Sequence, residues 1–155
     1  MTQTHRTSTG RSPRRLARFA AVAVAAALVL TGCLSADQQA DLDLMNAARK
    51  SNRLTALNSD AAAASKAQAW SQSMARTGKL EHTGGGSKLD TSGLTKWCSV
   101  GENVGKGSSV QVIHDAFMRS SEHKANILGR YDRVGVGVYK SGKTYWVTEI
   151  FIRSC

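Results

Sequence analysis

Several familiar marks are missing from this chain. It has a single proline in 155 residues, and neither an internal repeat nor a low-complexity stretch divides it. At this length that excludes a linker between two folded units and leaves one domain. No acidic residue precedes Asp37, whereas Arg6, Arg11, Arg14, Arg15 and Arg18 all lie there. The formal charge of +10 is therefore inflated by the N-terminal stretch; without those five, 16 basic residues face 11 acidic ones, a net +5. The remainder carries no clustered Arg/Lys stripe interleaved with aromatics, which excludes nucleic acid as a partner. A charge of +5 still suits attraction to an anionic cell surface. The longest apolar run, Phe19 to Leu30, holds only twelve residues. That is too short for a permanent helix across a hydrocarbon core of roughly 30 Å. Gly84-Gly85-Gly86-Ser87-Lys88 lacks the hydroxyl residue that follows lysine in a phosphate loop, so it reads as a plain loop. Ser120 and Ser121 lack the context of a nucleophile elbow, which excludes a serine–histidine–acid hydrolase.

What is present begins with an address. A basic head, an apolar core and Leu30-Thr31-Gly32-Cys33 follow one another, the order of a secretory signal. The last four residues resemble a bacterial lipobox, in which the cysteine receives a diacylglycerol. The expected organisation is a signal peptide over residues 1–32, a short tether over 33–40 and a folded domain over 41–155. The chain is then exported and held by lipid on Cys33 at the outer face of the bacterial cytoplasmic membrane. The alternative is a secreted protein cleaved after Ala36, with Cys33 discarded. If Cys33 is lipidated, Cys98 and Cys155 remain as an even pair in a compartment where disulfides persist. Their bond would pin the chain end to a loop before Glu102; the alternative is two free thiols.

Local patterns predict helices first and a hairpin last. Leu42, Met45 and Ala48 place a helix over Asp37 to Asn52. A second runs from Asp60 to about Thr77, where Gly78 ends it, and shows a narrow face of Ala64, Ala67, Ser71 and Met74. Residues 89–99 read as irregular, with Trp97 buried beside Cys98. A third helix, Val110 to Arg119, is capped by Ser108 or Ser109 and buries Val110, Ile113 and Phe117, leaving His114 solvated. A short helical turn carries His123 to Leu128. Val134-Gly135-Val136-Gly137-Val138 alternates as a strand, and its glycines call for another backbone packed close on that face. Tyr145 to Ile152 forms the returning strand, with Val147, Glu149 and Phe151 on one face. The class is α+β, helices covering an antiparallel sheet.

His82, Glu102-Asn103, His123 and Asn126-Ile127-Leu128, in this order and spacing, resemble the CAP domain of cysteine-rich secretory, antigen 5 and pathogenesis-related proteins, and most of all its short bacterial members. Asn46-x-x-Arg49, Gly101-Glu102-Asn103, Ser120-x-x-His123 and Val134-Gly135-Val136-Gly137 are the matching pieces, spread over Leu42 to Phe151. The resemblance implies a three-layer α-β-α sandwich with a cleft where His82, Glu102 and His123 meet, supported by Asn103, Ser120 and Asn126. It departs from relatives that complete two histidines with two glutamates, because Ser120 stands where the second glutamate would be. Phe117 stands for a tryptophan, and Glu122 for a glycine.

Two functions follow from the resemblance. One is a non-catalytic binding module whose cleft takes a small apolar ligand, a peptide or a divalent ion. No cofactor is required, with zinc or another divalent cation as an optional ligand. The other is a metal-dependent hydrolase, with His82 and His123 on zinc and Glu102 as base toward its water. Catalytic zinc normally has three protein ligands; if Glu102 becomes the third, no base remains. A purely structural role, Glu102 holding His82 and loop backbone together, is compatible with the first function.

Overall fold

The computed structural model describes residues 1–2 and 34–155. The expected signal peptide, the lipobox and Cys33 lie outside the described residues. The folded body begins with helix α1, Ala36–Ser51, which starts inside the stretch expected as a tether. Ser35 caps it: its hydroxyl accepts from Gln38 N while the Gln38 side chain reaches back to the Ser35 N–H, so two orphan donors are satisfied at once. Asp37 in the first turn and Arg49 and Lys50 in the last complement the helix dipole.

After strand β1 (Asn58–Ser59) comes α2, Ala61–Thr77, capped by Asp60 and ended by Gly78 at φ +72°. The left-handed conformation there is what a glycine supplies at low cost. Next come β2 (Trp97–Gly107), α3 (Val110–Arg119, capped by Ser109), α4 (Ser121–Ile127, capped by Ser120), β3 (Arg133–Ser141) and β4 (Thr144–Ser154). The sheet order is β1-β3-β4-β2, with β1 parallel to β3 and the other pairs antiparallel.

The sheet is covered on both faces, giving the α-β-α sandwich expected. Val134, Val136, Val138, Val147 and Phe151 pack with Leu42 and Met45 of α1, Val110, Ile113 and Phe117 of α3, and Ile127 of α4. Ile150 and Ile152 turn the other way, onto Ala63 and Ala67 of α2. The glycines of β3 set that second spacing. A Cβ on Gly135 would stand 2.1 Å from the Ala63 carbonyl carbon, and one on Gly137 2.1 Å from that of Ala67. The helix backbone thus rests directly on the strand, as the small-residue face of α2 and the Gly-x-Gly of β3 together predict.

Three expectations are corrected. Cys98 lies inside β2, not in a loop, although the register slips between Trp97 and Ser99. Trp97 is 40% exposed rather than buried, because it begins an edge strand opposite Ser154, beyond the reach of the covering helices. Asn58 and Ser59, which by residue type could also cap α2, instead pair with Arg133 and Val134, and Asp60 is the cap. Composition hides β2: Gly101, Glu102, Asn103, Gly105, Lys106 and Gly107 break the apolar alternation, and only pairing with β4 extends the strand. Cys98 and Cys155 form a disulfide across a Cα separation of 4.8 Å, joining the end of the chain to β2.

The Asn46-x-x-Arg49 pair is structural. Asn46 brackets Leu57, donating to its carbonyl and accepting from its N–H. The buried Arg49 guanidinium donates to the carbonyls of Thr55, Ile127, Gly129 and Tyr131. It ties the end of α1 to the segment that leads from α4 into β3.

Candidate functional site

The expected cleft residues gather at the free edge of β2. Glu102 pairs across the ladder with Ile150 and Asn103 with Glu149, so their side chains leave the strand on opposite faces. On one face, His82 arrives from the loop after α2. Its Nδ1 donates to Glu102 Oε1 at 2.7 Å, and the same oxygen accepts from Thr83 N at 3.0 Å. The Glu102 side chain is 1% exposed and that of His82 31%. A carboxylate thus orients the imidazole and anchors its loop, leaving Nε2 of His82 as the atom free for a ligand.

On the other face, α4 brings His123 and Asn126. Ser120 caps α4, and its Oγ is hydrogen-bonded to His123 Nδ1 at 2.8 Å. Where relatives carry a second glutamate, this hydroxyl orients the second ring, and Nε2 is again the atom left over. The ring stacks on Phe117, with centroids 4.8 Å apart. Burial holds the His123 pKa below the ordinary imidazole value; Glu122 opposes this weakly and His82 reinforces it. Asn126 Nδ2 donates to Glu102 O and Asn103 Oδ1, while Asn103 Nδ2 donates to His123 O and Glu149 Oε2. Gly101 makes this close approach feasible: a Cβ there would lie 2.6 Å from the Tyr131 hydroxyl and 2.7 Å from Asn126 Oδ1.

The structure brings His82 and Glu102 into direct contact and sets Asn103, Ser120, His123 and Asn126 around the same strand edge. It does not make His82, Glu102 and His123 one tight ligand set. Among the described residues, the group of three whose ligand atoms lie mutually within 4.8 Å is Asp41, His114 and Glu149. His114 was expected in solvent and is 6% exposed; Asp41 and Glu149 are fully buried. The signal for His114 was there: it stands four residues after Val110 and three before Phe117, on the buried stripe. Asp41 likewise precedes Met45 by one turn. Glu149 follows the strand alternation with Val147 and Phe151. Burial drives Asp41 up to about 7 and, aided by the Asp41 charge, Glu149 well above the usual carboxylate range. Burial also lowers His114.

Residues 42–151 match the cysteine-rich secretory protein (CAP) family. No curated protein sequence matches the chain. Among solved structures, an extracellular protein of Bacillus anthracis containing an SCP domain is 27% identical, with a TM-score of 0.64 over 80% of this chain. The aligned region spans 45% of that Bacillus protein. An outer surface protein of Borrelia burgdorferi superposes with a TM-score of 0.69 at 16% identity, over 77% of this chain and 93% of its own. A venom allergen-like protein of Schistosoma mansoni gives 0.61 at 16% identity, over 79% of this chain and 91% of its own. At 16% identity these two carry the fold alone. The matched span covers more than half of the chain and the sandwich is the fold of the solved relatives, and the chain belongs to the CAP family.

Proposed function

We propose that this protein is an exported, lipid-anchored binding module that holds its ligand at the His82–Glu102–His123 edge without transforming it. The ligand is a small apolar molecule, a peptide, or a divalent ion such as zinc held reversibly by the two Nε2 atoms. The observation that carries this reading is the state of Glu102. Its side chain is almost wholly buried and one oxygen already accepts two hydrogen bonds, so it serves as an orienter of His82. A base acting on a bound water must reach that water. Two imidazoles alone also fall short of the three protein ligands usual for catalytic zinc. Export is supported by the Leu30-Thr31-Gly32-Cys33 run and by the extracellular Bacillus relative. No described helix is long and apolar enough to cross a membrane.

A metal-dependent hydrolase using His82, His123 and Glu102 is the second reading. It is favoured by Glu102 Oε2, which is buried and lacks a hydrogen-bond partner among the described residues. Zinc titration of the purified full-length chain separates the two. An exchangeable zinc bound in the micromolar range, beyond any ion that survives desalting, that disappears in His82→Ala and in His123→Ala without turnover of peptide or ester substrates is the expected result. Turnover that Glu102→Gln abolishes would overturn the binding-module reading. For the anchor, Cys33→Ser should move the protein from the membrane fraction to the soluble one.

A further inference from the structure

Asp41, His114 and Glu149 take no part in the cleft, yet their chemistry is left unsettled by the fold. They come from α1, α3 and β4 and meet between helix layer and sheet. Four of their polar atoms are buried without a hydrogen-bond partner: both Asp41 oxygens, Glu149 Oε1 and His114 Nδ1. Buried polar atoms are nearly always paired, and two carboxylates facing each other in an apolar core repel as well. No lysine or arginine among the described residues forms an ion pair with either carboxylate.

A single shared proton would join one oxygen of each carboxyl. The second Asp41 oxygen and the imidazole nitrogen would stay unpaired. A divalent cation satisfies all three residues together and offsets their two negative charges. We propose that Asp41, His114 and Glu149 form a buried divalent transition-metal site that clamps α1 and α3 onto β4.

One nitrogen and two carboxylates suit a zinc- or manganese-type ion, whereas calcium takes six to eight oxygens. The supporting shell is in place. Asn103 Nδ2 donates to Glu149 Oε2 at 2.8 Å, leaving Oε1 turned to the other two residues and fixing the carboxylate's orientation. Asn103 also touches His123 O and Asn126, so the site abuts the cleft through one side chain. A groove of about 490 Å³, lined by Ala40, Leu44, Ala47, Val110 and Gln111, follows the same α1–α3 seam. Ala40 precedes Asp41 and Gln111 lies one turn before His114, so the groove runs beside the site without being lined by its three ligands.

The test uses purified full-length protein stripped with chelator, then loaded with Co²⁺ as a spectroscopic probe and with Zn²⁺. The expected result is one Co²⁺ per chain retained after desalting, with visible d–d bands. His114→Ala and Glu149→Gln should each weaken retention at least tenfold, and the His82→Ala/His123→Ala double variant should leave it unchanged. Glu149→Gln keeps the side-chain shape, and its circular dichroism separates metal loss from unfolding. Ca²⁺ at equal concentration should not displace Co²⁺. Retention lost in the double variant but kept in His114→Ala would overturn the proposal. So would a wild-type chain that retains no metal while Glu149→Gln raises its melting temperature, the signature of a carboxyl pair sharing a proton.

Discussion

Arg49 shows how one side chain can hold three segments. Its guanidinium is buried and spends its donors on four carbonyls spread from Thr55 to Tyr131. Lysine offers a point charge where a planar fork is needed. Arg49→Lys should therefore destabilise the protein by about 2–4 kcal/mol, seen as a lower midpoint in urea denaturation with an unchanged slope. At the other pole of α1, the metal-free Asp41–Glu149 pair makes stability depend on pH. Both carboxyls titrate higher folded than unfolded, Asp41 at about 7 against 3.8. The folded state then binds more protons, so stability is present at low pH and is lost as pH rises through the folded values. His114, facing them from α3, is lowered by burial and works in the opposite sense below its unfolded value of 6.5. Two carboxyls outweigh one imidazole. Chelated protein should gain on the order of 1–2 kcal/mol from pH 8 to pH 6, read from denaturation midpoints at each pH. The residues of the cleft were legible as a motif, but this pair was not. Asp41 and His114 sit at core positions of their helices by spacing, yet polarity argues for solvent, and polarity misleads when another polar group waits opposite.

Among the elements, the contact of α2 with β3 is the most legible. A stripe of alanines on one segment and alternating glycines on another each imply a near neighbour, and the fold pairs them. Gly137→Ala would place a methyl carbon about 2 Å from the Ala67 backbone, where no flexible side chain can give way. We expect a loss of about 3 kcal/mol or more, measured by chemical denaturation. Gly142→Ala, in an open turn at φ +59°, should cost less, since it meets strain but no clash. Strand β2 was poorly legible. Glycine and polar residues at the edge keep it from looking like a strand, and those same residues make up the candidate site. Gly101 admits Asn126 and Tyr131, and Glu102 and Asn103 serve opposite faces. A sequence under demand for a site departs from the pattern that announces its backbone.

For the molecule as a whole, the disulfide closes the domain. Cys98 and Cys155 are 57 residues apart, and closing a loop of that length restricts the unfolded chain by roughly 4 kcal/mol in the entropy model. The Cys98→Ser/Cys155→Ser double variant should lose stability of that order, read as a drop in thermal midpoint that reductant no longer enlarges. The bond also fastens the end of β4 to β2. Loss of it should be felt first at Trp97, whose fluorescence reports the sheet edge.

The amino-acid sequence alone determined the helices, the closing hairpin, the close approach of α2 to β3 and which residues gather at the edge of β2. Each of these rests on short-range regularities: residue periodicity, capping side chains and glycines that leave room. Only the tertiary structure decided that β2 is a full strand, and that Asp41, His114 and Glu149 face one another in the core. The physical reason is the same for both. Pairing with β4 makes the strand, and a polar side chain's environment is set by what distant segments place against it. Neither can be read within a window of neighbouring residues.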